Sequence, residues 1–284
     1  MKLINGKEKA ALVYATLRER VQMLRNQGKR PGLATVLVGD DPASAVYVSS
    51  KIKKCEELGI ASFHHRLPAT ATQAEIIETI QKLNADPAVS GILLQLPVPA
   101  GIDADACIET IDPRKDVDGL HPMNAGKLMA AKQWSDIERK NLLIPCTPRG
   151  CIELLKTIPI SLEGAYAVVV GRSQLVGKPI AQLLMAHHAT VTMAHSRTKN
   201  IDRVCAQADV LVAAIGKPRF IKAGFVKPGA VVIDVGINRT PQGMCGDVDF
   251  DAVKDIAGYI TPVPGGVGAM TVAMLMYNTI QTVS

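Results

Sequence analysis

The sequence predicts an α/β protein built from two βαβ arrays in series, each with a parallel sheet, and three observations lead there. Short aliphatic runs such as Leu33–Val38, Gly91–Leu96 and Ala165–Val170 alternate with longer amphipathic stretches, the pattern of parallel strands joined by helical crossovers. Aromatic residues make up 4% of the chain against 48% hydrophobic, which suits layered aliphatic packing and argues against an aromatic-rich sandwich or a stacking-based single-strand binder. The 284 residues allow about two domains of roughly 150, long enough to bury a core without disulfides or a structural metal.

The elements follow in order. Residues 5–27 alternate charged and apolar positions at helical spacing and stop at Gly28 and Pro31. Leu33–Val38 reads as a strand ending in the turn Gly39-Asp40-Asp41-Pro42, and a helix over 43–58 stops at Gly59. A strand over 60–67, a helix over 72–84 and a strand Gly91–Leu96 complete the first array. Residues 112–148 break the rhythm and form the expected domain junction. A second alternation places strands near 165–170, 190–195, 209–215, 231–236 and 258–263. The last segment, 267–283, is helical and apolar on most faces, so it is expected to be buried, docked back on the first domain.

The net charge of +6 fits either an anionic partner or a mildly basic surface. No block of like charges and no zinc-finger or RNP motif accompanies it, so no nucleic-acid partner is expected. Charge interrupts Met1–Glu8 before any apolar run, no stretch is long enough to span a membrane, and the six cysteines contain no C-x-x-C pair. These features point to buried thiols in a reducing cytoplasm.

In the second half, Val168–Pro179 (VVVGRSQLVGKP) closes a strand and opens a helix, the context of a dinucleotide fingerprint. Ser173 stands where the second glycine belongs, and the last glycine arrives one residue late at Gly177, so a plain tight turn is the competing reading. The next strand ends in His195-Ser196-Arg197 with no carboxylate for a ribose 2′-hydroxyl, and together with Arg172 this favours a 2′-phosphate, hence NADP over NAD. A second glycine-rich turn, Thr261–Gly268 (TPVPGGVG), joins strand to helix and can lie against a flat ligand or be merely rigid.

In the first half, Tyr47 and Lys51 share a helix face at i and i+4, on the flank of an apolar stripe centred on Ala45, Val48, Ile52 and Cys55. A lysine there either loses hydration and becomes suited to proton transfer or snorkels to solvent. Gln95 interrupts the apolar GILLQLPVP at a strand end, where it can orient a neighbour without adding charge. Asp116-Val117-Asp118-Gly119 offers a carboxylate for the amidine-like edge of a pterin or purine. Two carboxylates also suit Mg²⁺, but no third oxygen ligand lies nearby and no metal is expected.

Taken together, VYVSSK at 46–51, GILLQLPVP at 91–99, PRKDVDG at 113–119, PCTPRG at 145–150, VVVGRSQLVGKP at 168–179, VVIDVGIN at 231–238, GDVDF at 246–250 and TPVPGGVGAMT at 261–271 resemble the bifunctional methylenetetrahydrofolate dehydrogenase/cyclohydrolase family. The resemblance implies two α/β domains flanking a cleft: a folate-binding catalytic domain of residues 1–143 plus 268–284, and a Rossmann-type NADP-binding domain of residues 144–267. It implies a homodimer, formed through the nucleotide-binding domains and acting on tetrahydrofolate derivatives, and the net charge of +6 is compatible with polyglutamylated forms of these. The implied activity is oxidation of 5,10-methylene-tetrahydrofolate with NADP, then hydrolysis of the methenyl product to 10-formyl-tetrahydrofolate. By the same resemblance, Lys51 handles protons, Tyr47 stacks near the folate, Gln95 tunes the lysine and Asp118 binds the pterin. Pro97, Pro264, Gly265, Gly266 and Val267 line the substrate, and Gly171, Arg172, Ser173, Ser196 and Ile237 line the cofactor. Ala269 departs from the family's usual proline without removing a functional group. A different NAD(P)-dependent α/β dehydrogenase and a non-enzymatic NADP-binding regulator are the alternatives. The first leaves Tyr47, Lys51 and Gln95 unexplained, and the second predicts binding without turnover.

Overall fold

The computed structural model describes residues 2–283, and of Ala43 only the backbone. The chain forms two compact units, one of Met1–Leu12 with Lys127–Met274, the other of Val13–Gly126 with Leu275–Ser284.

The unit containing Val13–Gly126 is built on a parallel three-stranded sheet with Gly32–Val38 in the centre, Ala61–Leu67 on one side and Gly91–Leu94 on the other. The central strand is buried along its whole length, as its unbroken GLATVLV run requires. Helices Pro42–Leu58 and Gln73–Ala85 supply the crossovers. Asp41 starts the first by accepting from the Ser44 N–H at 2.7 Å, and Gly59 ends it in the left-handed region at φ 77°. Thr72 and Glu75 form a reciprocal capping box on the second. Ala34, Val36, Ile92 and Leu94 pack against Ile76, Ile80 and Leu83 as the core on one face. The chain runs from the centre to one edge and then across to the other, so the sheet has a switch point beside the carboxyl ends of Gly32–Val38 and Gly91–Leu94.

The other unit carries a six-stranded sheet in the order Lys2–Leu3, Tyr259–Ile260, Val231–Asp234, Val210–Ala213, Tyr166–Val170, Thr190–Ala194, parallel throughout. Its switch point lies between Tyr166–Val170 and Val210–Ala213. The strand Lys2–Leu3 is too short to leave any periodicity, and it enters the sheet by pairing with Tyr259–Ile260. The antiparallel hairpin of Asn238–Thr240 and Gly243–Cys245 also carries no alternating pattern. Residues 112–148, read from the sequence as a junction, hold two short helices, Pro122–Met129 and Trp134–Arg139, and the start of Cys146–Leu155. The terminal helix Val267–Gln281 buries Met270, Ala273, Met274, Leu275, Met276 and Ile280, as its apolar circumference demands. Its residues from Leu275 onward group with Val13–Gly126.

Candidate active site

Helix Pro42–Leu58 presents Ser44, Val48, Lys51, Cys55 and Leu58 as its buried stripe, at the 3- and 4-residue steps of a single face. Lys51 is therefore at the centre of that stripe and only 9% exposed, while Ile52, expected there, is half-buried. The flank assigned to Lys51 by helical counting is corrected by about one position, because the covered side of the helix, where Gln95 meets Lys51 and Met276 meets Cys55, is the lysine's side. Strand Gly91 onward ends at Leu94, two residues earlier than the aliphatic run suggests, and a cis Leu96–Pro97 bond follows. Gln95 thus stands just beyond the strand at the switch point. Its Oε1 accepts from Lys51 Nζ at 2.8 Å, and its amide nitrogen donates to the Leu96 carbonyl at 2.6 Å, which fixes the oxygen toward the lysine.

Tyr47 lies one turn before Lys51 and is 38% exposed. Pro97 is exposed two residues beyond Gln95. The two carboxylates of the DVDG segment separate by role. Asp116 is 1% exposed and accepts from the N–H groups of Gly119, Leu120 and His121 and from Asn124 Nδ2, at 2.8–3.2 Å. It is a structural carboxylate, whereas Asp118 is half-buried at the bend that Asp116 builds.

In the six-stranded unit, Gly171 ends strand Tyr166–Val170 with φ 133°, and a Cβ there would strike the Ala214 carbonyl. A Cβ on Gly177 would strike the Gly171 carbonyl, so Gly177 performs the close helix-to-strand approach despite its late position in the fingerprint. Ser173 Oγ accepts from the N–H groups of Val176 and Gly177 at 3.1 and 3.3 Å, closing the turn that starts helix Gly177–Ala186. Arg172 and Ser173 are exposed. They line a cavity of about 330 Å³ together with His195, Ser196, Lys217, Ile201 and Phe220, at the carboxyl ends of three parallel strands. His195 and Thr198 tie off a turn that leaves Ser196 and Arg197 exposed.

Among the described residues lining this cavity there are two fixed cations, Arg172 and Lys217, and no carboxylate. That set fits a dinucleotide with a 2′-phosphate, the apolar Ile201 and Phe220 suiting its base. Lys217 was missing from the sequence reading. The rule that ligands collect at strand carboxyl ends points to the loop after Val210–Ala213, where it lies. That loop is held by Asp247, fully buried, which accepts from Ile215 N, Gly216 N and Asn238 Nδ2 at 2.7–2.9 Å. Asp234 in turn accepts from the backbone of Gly236, Asp247 and Val248, and burial pushes its carboxyl up to about 7.

The turn Thr261–Gly268 contains a cis Val263–Pro264 bond, and its Gly265 carbonyl accepts from Lys7 N at 3.2 Å. Pro264 is exposed, Gly265 half-buried, and Gly266 and Val267 buried. Ile237 stands against the first turn of the terminal helix, its Cδ1 3.3 Å from where a Gly268 Cβ would be. Within their units the structure joins Lys51 to Gln95, gathers Gly171, Arg172, Ser173 and Ser196 on one cavity, and sets Ile237 beside the glycine-rich turn.

Comparison with known proteins accords with this chemistry. The model for the tetrahydrofolate dehydrogenase/cyclohydrolase catalytic domain matches residues 4–118, and that for the NAD(P)-binding domain of the same family matches residues 145–284. The bifunctional protein FolD of Rhodopseudomonas palustris strain HaA2 is 53% identical over 99% of this chain and 95% of its own length. The crystal structure of FolD methylenetetrahydrofolate dehydrogenase/cyclohydrolase from Campylobacter jejuni is similar with a TM-score of 0.95 and 44% identity, covering 100% of this chain and 98% of that one. The Trypanosoma brucei enzyme, complexed with NADP cofactor and an inhibitor, gives 0.91 and 38% over 99% and 96%. The chain belongs to the tetrahydrofolate dehydrogenase/cyclohydrolase family.

Proposed function

We propose that this protein oxidises 5,10-methylene-tetrahydrofolate to the 5,10-methenyl form with NADP and then hydrolyses that cation to 10-formyl-tetrahydrofolate. The observation that carries the reading is the buried Lys51 held at 2.8 Å by the uncharged Gln95. Family membership and the cation-lined cavity support it.

The two steps make different demands. Hydride leaves a carbon between two nitrogens and yields a resonance-stabilised amidinium, so no base is needed and positioning dominates. When bound, NADP supplies the hydride acceptor. Gly171, Arg172, Ser173, Ser196, Lys217 and Ile237 would hold it, with Arg172 and Lys217 meeting its phosphates. Hydration then adds water to the cation and breaks a C–N bond, and both events move protons. Lys51 carries those protons, and Gln95 accepts from its amine in either charge state. Tyr47 stacks on the folate, Asp118 receives the N–H edge of the pterin, and Pro97 with Pro264–Val267 borders the substrate.

The reading extends to a homodimer formed through the nucleotide-binding units, to polyglutamylated folates and to a cytoplasmic setting. A net charge of +6 supports the second, and six free thiols, five of them buried, support the third. No helix among the described residues is long and apolar enough to cross a membrane. The test is a spectrophotometric assay with methylene-tetrahydrofolate, run with NADP and then NAD. NADP reduction followed by loss of the methenyl chromophore is expected. Cofactor binding with no turnover of any folate would overturn it.

A further inference from the structure

The segment that delivers Asp118 is anchored residue by residue. Lys115 Nζ donates to the carbonyls of Leu83, Asn84 and Asp86 at 2.8–3.3 Å, crossing the end of helix Gln73–Ala85, and its own carbonyl accepts from Ile92 N at 2.7 Å. Asp116 builds the bend through four donors. Val117 is fully buried, and its side chain packs on Gly91 so closely that no Cβ fits there. Three of these anchors are made by Lys115, Asp116 and Val117, within three residues of Asp118. The fourth comes from 161 residues away: Asn278 Nδ2, on the terminal helix, donates to the Val117 carbonyl at 2.8 Å.

Asn278 is fully buried in the terminal helix between Tyr277 and the buried Thr279, with Leu275, Met276 and Ile280 close by in the chain. A buried amide there is costly beside an aliphatic residue of the same size unless its bond serves something. The peptide whose oxygen it holds is the one joining Val117 to Asp118, so the bond sets the plane from which the Asp118 side chain departs.

We propose that Asn278 is a positioning residue for folate binding, acting through the Val117–Asp118 peptide. This rests on the assignment of Asp118 to the pterin. Two variants remove the donor, Asn278→Leu at nearly constant volume and Asn278→Ala at reduced volume. Each is made alone and combined with Asp118→Asn. Tetrahydrofolate affinity, NADP affinity, the KM and kcat of both activities and the melting temperature are measured. With the donor gone, tetrahydrofolate affinity should fall on the order of tenfold, the scale of one buried hydrogen bond. NADP affinity should stay within about twofold, and the ratio of the two activities should hold, because Lys51 is untouched. In the Asp118→Asn background the same change should cost less than about twofold, because the group being positioned is already lost. A further tenfold loss in that background would overturn the proposal, as would parallel weakening of NADP or unchanged folate affinity in the folded single variants. If Asp118→Asn alone leaves folate affinity unchanged, the pterin assignment is what has failed, and the proposal falls with it.

Discussion

Replacing Lys51 by methionine separates the two activities. The side chains are similar in length and girth, so the packing of the lysine stem beside Val48 and Cys55 survives. What is lost is the Nζ that donates to Gln95 Oε1 at 2.8 Å. Leaving that oxygen without its donor costs about 1–2 kcal/mol. Removing a buried ammonium returns part of this, so the net stability change should lie within about 1 kcal/mol, a shift of a few degrees in melting temperature. The chemistry is hit far harder. A positioned acid–base group contributes about 10²–10⁴ in rate, or roughly 3–5 kcal/mol of barrier, and hydrolysis of the methenyl cation should fall by that factor. Hydride transfer moves no proton through the lysine, so methylene-dependent NADP reduction should remain within about tenfold. The assay records NADPH formation and methenyl decay separately on one preparation whose fold is checked by circular dichroism. Equal loss of both activities in folded protein, or hydrolysis surviving within tenfold, would refute the division of labour.

Gln95→Glu places a carboxylate where a neutral amide now accepts from Lys51, and the pair should hold the lysine proton. The pH profile of hydrolysis should then move upward by about one unit or more, with a smaller effect on dehydrogenation, and an unmoved profile would count against Gln95 as the tuning partner. Lys217→Ala removes one of the two cations lining the nucleotide cavity. NADP affinity should drop about tenfold while NAD affinity changes by less than about twofold. A parallel drop for both would assign Lys217 to the shared pyrophosphate instead. His187 supplies a pH test of stability: burial, followed by the nearby Lys156, pushes its imidazole down to about 4. Between that value and about 6.5 the unfolded chain takes up a proton that the fold refuses, so stability present above pH 6.5 is lost as pH falls toward 4. Discounting for solvent at the half-buried ring leaves about 1–2 kcal/mol. The sole tryptophan, Trp134, stacks on His187 at 4.7 Å and reports urea unfolding directly. His187→Phe should keep the stack and flatten the pH slope, and an unchanged slope would show that another group causes it.

The sequence carried the alternation of strands and helices because parallel strands buried on both faces must be continuously aliphatic, as Gly32–Val38 and Tyr166–Val170 are. It missed Lys2–Leu3 and the hairpin at Asn238–Cys245, whose pairing is decided by distant partners and whose two or three residues show no period. Lys51, the proposed proton carrier, was legible as a residue beside a buried stripe. Its place in the centre of that stripe depends on which side of the helix its neighbours cover, and helical counting contains no such term. Local sequence likewise offers two equivalent carboxylates in DVDG, and only the backbone bend shows that Asp116 is consumed by four N–H donors. Asn278 was invisible for the same reason, being a single polar residue whose partner, the Val117 carbonyl, lies in another element, and Lys217 is a single cation in a loop that carries no motif.

Both sheets reverse their direction of growth once, and the proposed site of each unit gathers at that reversal. The difference between the two crevices follows from what each ligand needs. A dinucleotide must be held without being altered by the protein, and Gly171 and Gly177 bring backbone close while Arg172 and Lys217 supply fixed charge. A folate cation must gain and lose protons, and fixed charge beside the lysine would trap one of its two states. On the proposed reading, the strand that reaches the reversal of the three-stranded sheet is followed by an amide, whose oxygen is aimed by a bond to the next carbonyl and accepts from Lys51 whether or not that amine carries its extra proton. A glutamate at position 95 would bind the lysine more tightly and serve the reaction less well. Tighter pairing with slower hydrolysis is the combination that distinguishes a tuned proton carrier from a structural ion pair.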